Sequence, residues 1–262
     1  MLNFCSLYSG SSGNSLFIQT ENTKVLVDCG VSCKKVEEGL KSIDVDPSSI
    51  DAVLVTHEHS DHVKGLGTFS KKFDVPIYAN QETLDNMQAQ TLKISNNNIH
   101  TFKVSDKFEV GDLSVFPFSI SHDAANPCGF NIFKDNKKIS IATDIGTMDS
   151  KTIKNLEDSI FILLESNYDP DILRCSPYPY LLKRRIAGPT GHLPNNKAGE
   201  TISYLMNSGL KTAMLGHLSK ENNFPELAYK TVAEELVNSN KDVSKICLSV
   251  ASRDIPGKLL TI

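Results

Sequence analysis

The sequence is most constrained by a cluster of histidines and aspartates that directly follows a short apolar run. Run and cluster together read DAVLVTHEHSDH over residues 51–62. The apolar run predicts a buried strand, and alternate residues of an extended chain point to the same side, so His57 and His59 converge on one point. Asp61 and His62 then open a helix and approach that point from a second direction. Nitrogen and carboxylate donors at this density suit Zn²⁺ or Mn²⁺, and two ions better than one.

The rest of the chain alternates blocks of short apolar runs with helix-like segments. Residues 107–118 and 130–143 each read as a hairpin with turn residues at its centre. Because strict strand–helix alternation is absent, two mixed sheets packed between helices are favoured over one doubly wound parallel sheet. No Ser/Gly-rich linker interrupts the chain, so we expect a single domain over residues 1–262. Helices are predicted at 32–42, after a capping Ser32, at 61–73 and at 225–238.

Composition excludes fibrous, low-complexity and membrane-spanning classes. The chain has 262 residues, of which 40% are hydrophobic and 22% charged, and its formal net charge is −4. No apolar run approaches the roughly 18 residues of a membrane span, so we expect a cytoplasmic protein with no membrane partner. The six cysteines form no CxxC pair and predict mostly buried thiols.

The HxHxDH pattern resembles the hallmark of the metallo-β-lactamase-fold hydrolases. Further landmarks of that family follow in order: LVDCG at 26–30, ISH at 120–122, ATDIG at 142–146 and LGHLS at 215–219. The resemblance implies an α/β fold, a four-layer αββα sandwich, with two divalent metal ions. By analogy the first ion is held by His57, His59 and His122, the second by Asp61, His62 and His217, and Asp144 bridges both.

Shorter motifs are similar to the YycJ/WalJ branch of this family, bacterial relatives of ribonuclease Z and of PhnP-type phosphodiesterases. They are GSSGNS at 10–15, ESNYD at 165–169, GHL at 191–193 and HLSKENN at 217–223. The resemblance implies phosphodiester hydrolysis, and for this branch a 5′-to-3′ exodeoxyribonuclease linked to DNA repair, with single-stranded or 5′-ended DNA as its partner.

A two-ion site also defines the chemistry that is expected. Two ions roughly 3.5–4 Å apart lower the pKa of a bridging water, so that hydroxide attacks the phosphorus near neutral pH and no protein nucleophile is required. The leaving oxygen still needs a proton, for which His192 is the candidate general acid, with Glu165 orienting or re-protonating it. Together with Asp61 of the metal cluster, His192 and Glu165 form the predicted catalytic set.

Other residues are predicted to act around the metals. Asp28 is expected either to accept a hydrogen bond from a metal-binding histidine or to cap backbone amides in a turn. The proline-rich stretch 168–196 reads as a long functional loop. Within it lie candidate nucleic-acid contacts, three basic residues for phosphates and two tyrosines for stacking on bases: Lys183, Arg184, Arg185, Tyr178 and Tyr180.

The residues leave several alternatives open. Histidine and carboxylate ligands accept Zn²⁺, Mn²⁺ and Fe²⁺ alike. The same metal site would also serve a small-molecule hydrolase, such as a cyclic phosphodiesterase or a lactonase. A third alternative is a nucleic-acid-binding protein that holds metal without catalysis.

Overall fold

The computed structural model describes residues 1–87 and 93–262, which form fourteen strands and nine α-helices. The strands are β1 Asn3–Tyr8, β2 Ser15–Gln19, β3 Lys24–Val27, β4 Ala52–Leu54, β5 Ile77–Ala79, β6 Ile99–Thr101, β7 Phe108–Val110, β8 Leu113–Ser119, β9 Cys128–Lys134, β10 Lys137–Ala142, β11 Phe161–Glu165, β12 Thr212–Gly216, β13 Cys247–Val250 and β14 Leu260–Thr261. The helices are α1 Cys33–Lys41, α2 Ser60–Val63, α3 Leu66–Phe73, α4 Gln81–Asn86, α5 Ser150–Leu156, α6 Pro170–Cys175, α7 Tyr180–Ile186, α8 Asn195–Leu205 and α9 Pro225–Asn238.

The strands build two seven-stranded mixed sheets, each antiparallel in one half and parallel in the other. The first sheet has the order β14-β1-β2-β3-β4-β5-β6, with β3 to β6 parallel. The second has the order β13-β12-β11-β10-β9-β8-β7, with β10 to β13 parallel. Both predicted hairpins are confirmed, as β7–β8 and β9–β10.

Three apolar layers hold the sheets and helices together. On β3, Leu26 packs into the layer under α1 and α3, whereas Val25 and Val27 face the second sheet, as the two-residue period of a strand requires. Between the sheets, the rings of Phe4 and Phe161 lie 4.5 Å apart. A third layer joins the second sheet to α8 and α9. This order of layers confirms the αββα sandwich. All six cysteines are free thiols, four of them buried.

Local sequence signals predicted two helices correctly and a third incorrectly. The Ser32 side chain accepts a hydrogen bond from the Lys35 amide and caps α1, and α9 has the predicted bounds. The single helix predicted at 61–73 is wrong, because the chain forms α2 and α3 with a break at Gly65. A Cβ at Gly65 would lie 2.2 Å from the Val31 carbonyl oxygen, so this close approach requires glycine. Within the described ranges, no helix is long and apolar enough to cross a lipid bilayer.

The stretch 168–196 is less irregular than its prolines suggested. It contains α6 and α7 and leads into α8. Proline occupies the first turn of α6, after an Asp169 side chain that caps the amides of Asp171 and Ile172. Proline at a helix start lacks only an amide hydrogen that no helical carbonyl would accept, so it initiates these helices instead of breaking them.

Candidate metal centre

The candidate site lies where strands of both sheets end. Asp28 follows β3, His57 follows β4, Asp144 follows β10, Glu165 ends β11 and His217 follows β12. Parallel strands present their carboxyl ends at one edge, so these side chains meet in one place. Three of the five residues have left-handed backbones, with φ of 62° at Asp28, 60° at Asp144 and 54° at His217. Such conformations in residues other than glycine concentrate at functional sites.

A first group consists of His57, His59 and His122, with one nitrogen of each within 4.8 Å of the others. The His122 Nε2 atom lies 3.2 Å from His59 Nδ1, and the Gly191 carbonyl lies 3.1 Å from His122 Nδ1. A carbonyl can only accept, so His122 carries its proton on Nδ1 and directs the Nε2 lone pair at the group. The His57 Nε2 atom is buried without a hydrogen-bond partner among residues 1–87 and 93–262.

A second group consists of Asp61, His62 and His217, whose ligand atoms also lie within 4.8 Å of one another. The Asp61 Oδ2 atom is 3.6 Å from His62 Nε2 and 3.4 Å from His217 Nε2. The Nδ1 atom of each imidazole is held by a buried carboxylate, His62 by Asp28 at 2.7 Å and His217 by Glu165 at 2.8 Å. Both Nε2 atoms are thereby turned toward the centre of the site.

Asp144 lies between the two groups. Its Oδ2 atom is 3.2 Å from His62 Nε2, and its Oδ1 atom is 3.5 Å from His217 Nε2 and 3.6 Å from His122 Nε2. The side chain is almost completely buried. The structure therefore brings together all seven residues that the sequence suggested as ligands, with Asp144 central among them.

The electrostatics of the cluster favour a bound cation. Burial and the neighbouring His62 hold the pKa of His57 well below its usual value, so His57 stays neutral, as a metal ligand must. Burial opposes protonation of His62, yet nearby carboxylates, Asp144 foremost, raise its pKa well above the usual value. Burial likewise opposes protonation of His217, but Asp144 and Asp61 help to raise its pKa to about 10. The carboxylates thus attract positive charge into the site, which protons or metal ions can supply.

The donor set fits divalent metal ions on structural grounds. It offers neutral imidazole nitrogens and carboxylate oxygens, one of the nitrogens buried with its lone pair unused in the described structure. Four imidazoles in van der Waals contact, with ring centroids 4.1 to 5.0 Å from that of His57 or of His59, would repel each other if all were protonated. Imidazole and carboxylate are ligands that Zn²⁺ and Mn²⁺ share.

His192 and Glu165 form a pair beside the cluster. The Glu165 Oε1 atom lies 2.8 Å from His192 Nδ1 and 2.8 Å from His217 Nδ1, so one carboxylate atom orients both rings. Its Oε2 atom accepts hydrogen bonds from the Ile145 and Leu193 amides at 2.7 and 3.0 Å. Burial would raise the pKa of Glu165, but His192 and His217 lower it to about 2. Glu165 is fully buried, and this geometry favours an orienting role over direct contact with a substrate.

Asp28 contacts His62, as the first of its two expected roles requires, and the amide that it caps belongs to a different segment, not to its own turn. In addition to His62, it accepts hydrogen bonds from the Thr56 amide and the Thr56 hydroxyl, each at 2.9 Å. Gly30, two residues on, allows the chain to pass the cluster closely, because a Cβ there would lie 1.7 Å from the Asp61 carbonyl oxygen. The short motif around Asp28 therefore packs directly against the residues that carry the second group.

Sequence reasoning missed several residues that orient the site. The Asn14 amide nitrogen lies 3.2 Å from His62 Nε2 and 3.3 Å from the Asp61 carbonyl. The Asn167 amide donates to the His217 carbonyl at 2.7 Å, and the Ser9 hydroxyl accepts from the His217 amide at 2.9 Å. Asn14 belongs to the glycine-rich turn after β1 and Asn167 to the segment after Glu165. The available signal was their position next to strands, Asn14 directly before β2 and Asn167 two residues after β11.

The predicted nucleic-acid contacts lie on and next to α7, but they do not act as one basic patch. Arg185 is paired with Asp123 at 2.5 Å, next to His122. The Lys183 ammonium donates to the Arg174 carbonyl, and the Arg184 guanidinium lies over the Tyr180 ring. Lys183, Arg184, Tyr178 and Tyr180 line a cavity of about 510 Å³. Arg185 lines a different cavity, together with His192.

Comparison with known proteins agrees with this geometry. A family model described as "Beta-lactamase superfamily domain" matches residues 23–218. The chain is 37% identical over 239 residues to the exodeoxyribonuclease WalJ of Streptococcus pneumoniae serotype 2, covering 90% of this chain and 89% of that protein. It is also 37% identical over 235 residues to the exodeoxyribonuclease YycJ of Bacillus anthracis, with the same coverage. The crystal structure of the metallo-β-lactamase fold protein YhfI from Bacillus subtilis superimposes with a TM-score of 0.72 over 98% of this chain and all of that one, at 16% identity, a likeness of fold alone.

The Asp28–His62 contact yields a prediction. Replacing Asp28 by Asn removes the negative charge that holds His62 Nδ1, while asparagine tolerates the left-handed backbone. We expect Zn²⁺ affinity, measured by competition with a chromogenic chelator, to fall about 10- to 100-fold. The matched control is Asp74→Asn, another left-handed aspartate (φ 54°) that is exposed and caps α3. Unchanged Zn²⁺ affinity in Asp28→Asn would show that Asp28 serves only the backbone turn.

Proposed function

The chain belongs to the β-lactamase superfamily, and from this membership we propose that it is a metal-dependent phosphodiesterase that degrades DNA from 5′ ends. Two relatives that are 37% identical across nine-tenths of the chain are named exodeoxyribonucleases. The observation that carries the proposal is the pair of three-residue groups with the Asp144 carboxylate between them.

We infer that the site holds two divalent ions, Zn²⁺ or Mn²⁺, with Fe²⁺ also compatible. The ligands of the first would be His57, His59 and His122, those of the second Asp61, His62 and His217, with Asp144 shared. When bound, such ions supply an activated water and neutralise charge that builds on the phosphoryl oxygens. Asp61 is the most accessible of the carboxylates, with about a quarter of its side chain exposed, so it faces the incoming substrate.

Within this proposal, His192 protonates the leaving oxygen. Its Nδ1 atom is held by Glu165, which leaves Nε2 for the substrate, and the ring lines a cavity that opens beside the cluster. Burial lowers the pKa of His192, but the carboxylates of Glu165 and Asp144 raise it above the usual value. The shift favours the protonated form, which a general acid needs. Glu165 acts as a positioning residue for His192 and for His217.

The residues on and beside α7 would bind the DNA strand that leads to this centre. Lys183 and Arg184 lie in the wall of the 510 Å³ cavity with Tyr178 and Tyr180. Cations that follow a backbone and rings that stack on bases are the usual means of holding a single strand without reading its sequence. Arg185, which is paired with Asp123, is the least available of the three basic residues.

The activity itself is tested with purified protein supplied with Mn²⁺ or Zn²⁺. We expect mononucleotides to be released from 5′-phosphorylated single-stranded DNA. His59→Ala, which removes one ligand of the first group, should abolish release. His100→Ala is the matched control, because His100 is exposed on β6 and stacks on Tyr78. Cleavage of bis-p-nitrophenyl phosphate without action on DNA would instead indicate a small-molecule hydrolase.

The role of His192 is tested by the dependence on the leaving group. His192→Gln should lower kcat on DNA by about 10²- to 10⁴-fold, the usual contribution of a general acid. The loss on bis-p-nitrophenyl phosphate should be much smaller, because p-nitrophenolate leaves without a proton. Metal content, measured by atomic emission, should match wild type. Equal losses on both substrates would reject the proton-donor role.

The role of α7 is tested by salt dependence. Lys183→Gln combined with Arg184→Gln should weaken binding of single-stranded DNA and reduce the slope of log K against log salt by roughly 1.4, since each phosphate contact contributes about 0.7. The control pair, Lys211→Gln with Lys245→Gln, lies before β12 and β13 at the opposite edge of the sheet. An unchanged slope in the α7 variant would contradict the assignment.

A further inference from the structure

The cavity that His192 lines has a volume of about 350 Å³ and is distinct from the 510 Å³ cavity lined by Lys183 and Arg184. Its wall combines the turn after β1, the end of α7, the segment after His217 and the segment after β13. Its polar lining includes Ser11, Ser12, Ser219, Lys220, Glu221 and Arg253. Nothing in the metal cluster or in the proton-donor pair requires the hydroxyl and cationic groups of this wall.

Arg253 is a cation of the wall that is held by a backbone carbonyl. Its Nη2 atom donates to the Leu218 carbonyl at 2.9 Å, directly after His217. Its side chain packs on Gly10, where a Cβ would lie 3.3 Å from Arg253 Cγ. The Nη1 atom is buried and has no hydrogen-bond partner among the described residues. Among the described residues, the Arg253 guanidinium therefore donates to a neutral carbonyl. Its positive charge remains for an anion to balance.

The other groups of the wall complement an anion. Ser219 accepts hydrogen bonds from the amide and the side chain of Asn222 at 3.2 and 3.3 Å, so its own hydroxyl hydrogen is available to donate. Ser11 and Ser12 are exposed at the tip of the turn, and the exposed Lys220 lines the same cavity.

The charges of the wall sum to a positive value. Arg185 is neutralised by Asp123, and Glu221 offsets one of the two remaining cations, Lys220 and Arg253. Hydroxyl donors beside a guanidinium are the usual surroundings of a bound phosphate.

We propose that this cavity binds a second phosphate of the nucleic acid, adjacent to the phosphodiester that is cleaved. The proposal rests on the proposed phosphodiesterase function, because His192 lines the cavity and also faces the scissile bond. The phosphate is either the 5′-terminal one or an internucleotide one. In both cases Arg253, Ser219 and Lys220 set the position of the strand relative to the metal ligands.

The test compares two substrates in the Mn²⁺-loaded enzyme. Short 5′-phosphorylated oligothymidylate carries a phosphate for the cavity, whereas bis-p-nitrophenyl phosphate has none. Arg253→Gln should lower the ratio of kcat/KM on oligothymidylate to kcat/KM on the ester by about tenfold, mainly through KM, as expected for one lost charge-assisted contact. Lys220→Gln, at an exposed position that does not threaten folding, should lower the ratio in the same direction. Lys245→Gln, at the opposite edge of the sheet, should leave it at the wild-type value.

A 5′-hydroxyl oligothymidylate identifies the phosphate. If the effect of Arg253→Gln disappears with this substrate, the cavity takes the terminal phosphate, and if it persists, the cavity takes an internucleotide phosphate. Equal losses of kcat/KM on oligothymidylate and on the ester in both variants would overturn the proposal, because they would indicate a structural role.

Equilibrium binding separates this proposal from the proposed function. Fluorescence anisotropy of labelled oligothymidylate in EDTA requires no catalysis. Should the wild type cleave neither substrate, the phosphodiesterase proposal fails, and weaker oligothymidylate binding by Arg253→Gln and Lys220→Gln would still support the cavity. Binding as tight as wild type in both variants would reject it.

Discussion

The structure depends on one buried carboxylate. Asp144 lies within 3.7 Å of nitrogens from four imidazoles, those of His62, His122, His192 and His217. They belong to α2, to the segments after β8 and β12, and to the segment between α7 and α8. Burial would raise the pKa of Asp144, but His217 and His62 lower it well below the usual value. A charge at this depth is tolerable only when cationic partners surround it, so the ends of both sheets must meet at one point.

Two further carboxylates, one from each sheet, give that point its geometry. Asp28, after β3, holds His62 and accepts from the Thr56 amide and hydroxyl. Glu165, at the end of β11, holds His217 and His192 and accepts from two backbone amides. In each case hydrogen bonds compensate the burial of a charge, and the same bonds decide which imidazole nitrogen faces the site. Through Glu165, the orientation of the proposed acid is tied to that of a proposed metal ligand.

The folded protein distributes the charges of the chain unevenly. A formal net charge of −4 would oppose a polyanionic substrate if it were spread evenly. Four of the 31 Asp and Glu residues lie at the cluster, namely Asp28, Asp61, Asp144 and Glu165, and two divalent ions there would add +4. Lys183 and Arg184 line one cavity, and Lys220 and Arg253 line another together with His192. The proposed path for a nucleic acid is therefore lined by cations although the chain as a whole is acidic.

The sequence by itself determined the layers of the fold and the candidate residues of the site. Two-residue periodicity, capping residues and turn residues predicted both hairpins, α1 and α9, because these features depend on neighbours close along the chain. The resemblance carried by the HxHxDH pattern and the later motifs predicted which seven residues would lie together, and the structure brings them together. Only the tertiary structure decided the rest. Asn14, Asn167 and Arg253 reach the site from segments far apart in sequence, and the partner that each finds there has no local pattern. The same reason explains why the three adjacent basic residues of α7 have different surroundings. They could not be told apart in the sequence, but in the fold Arg185 is the one that pairs with Asp123.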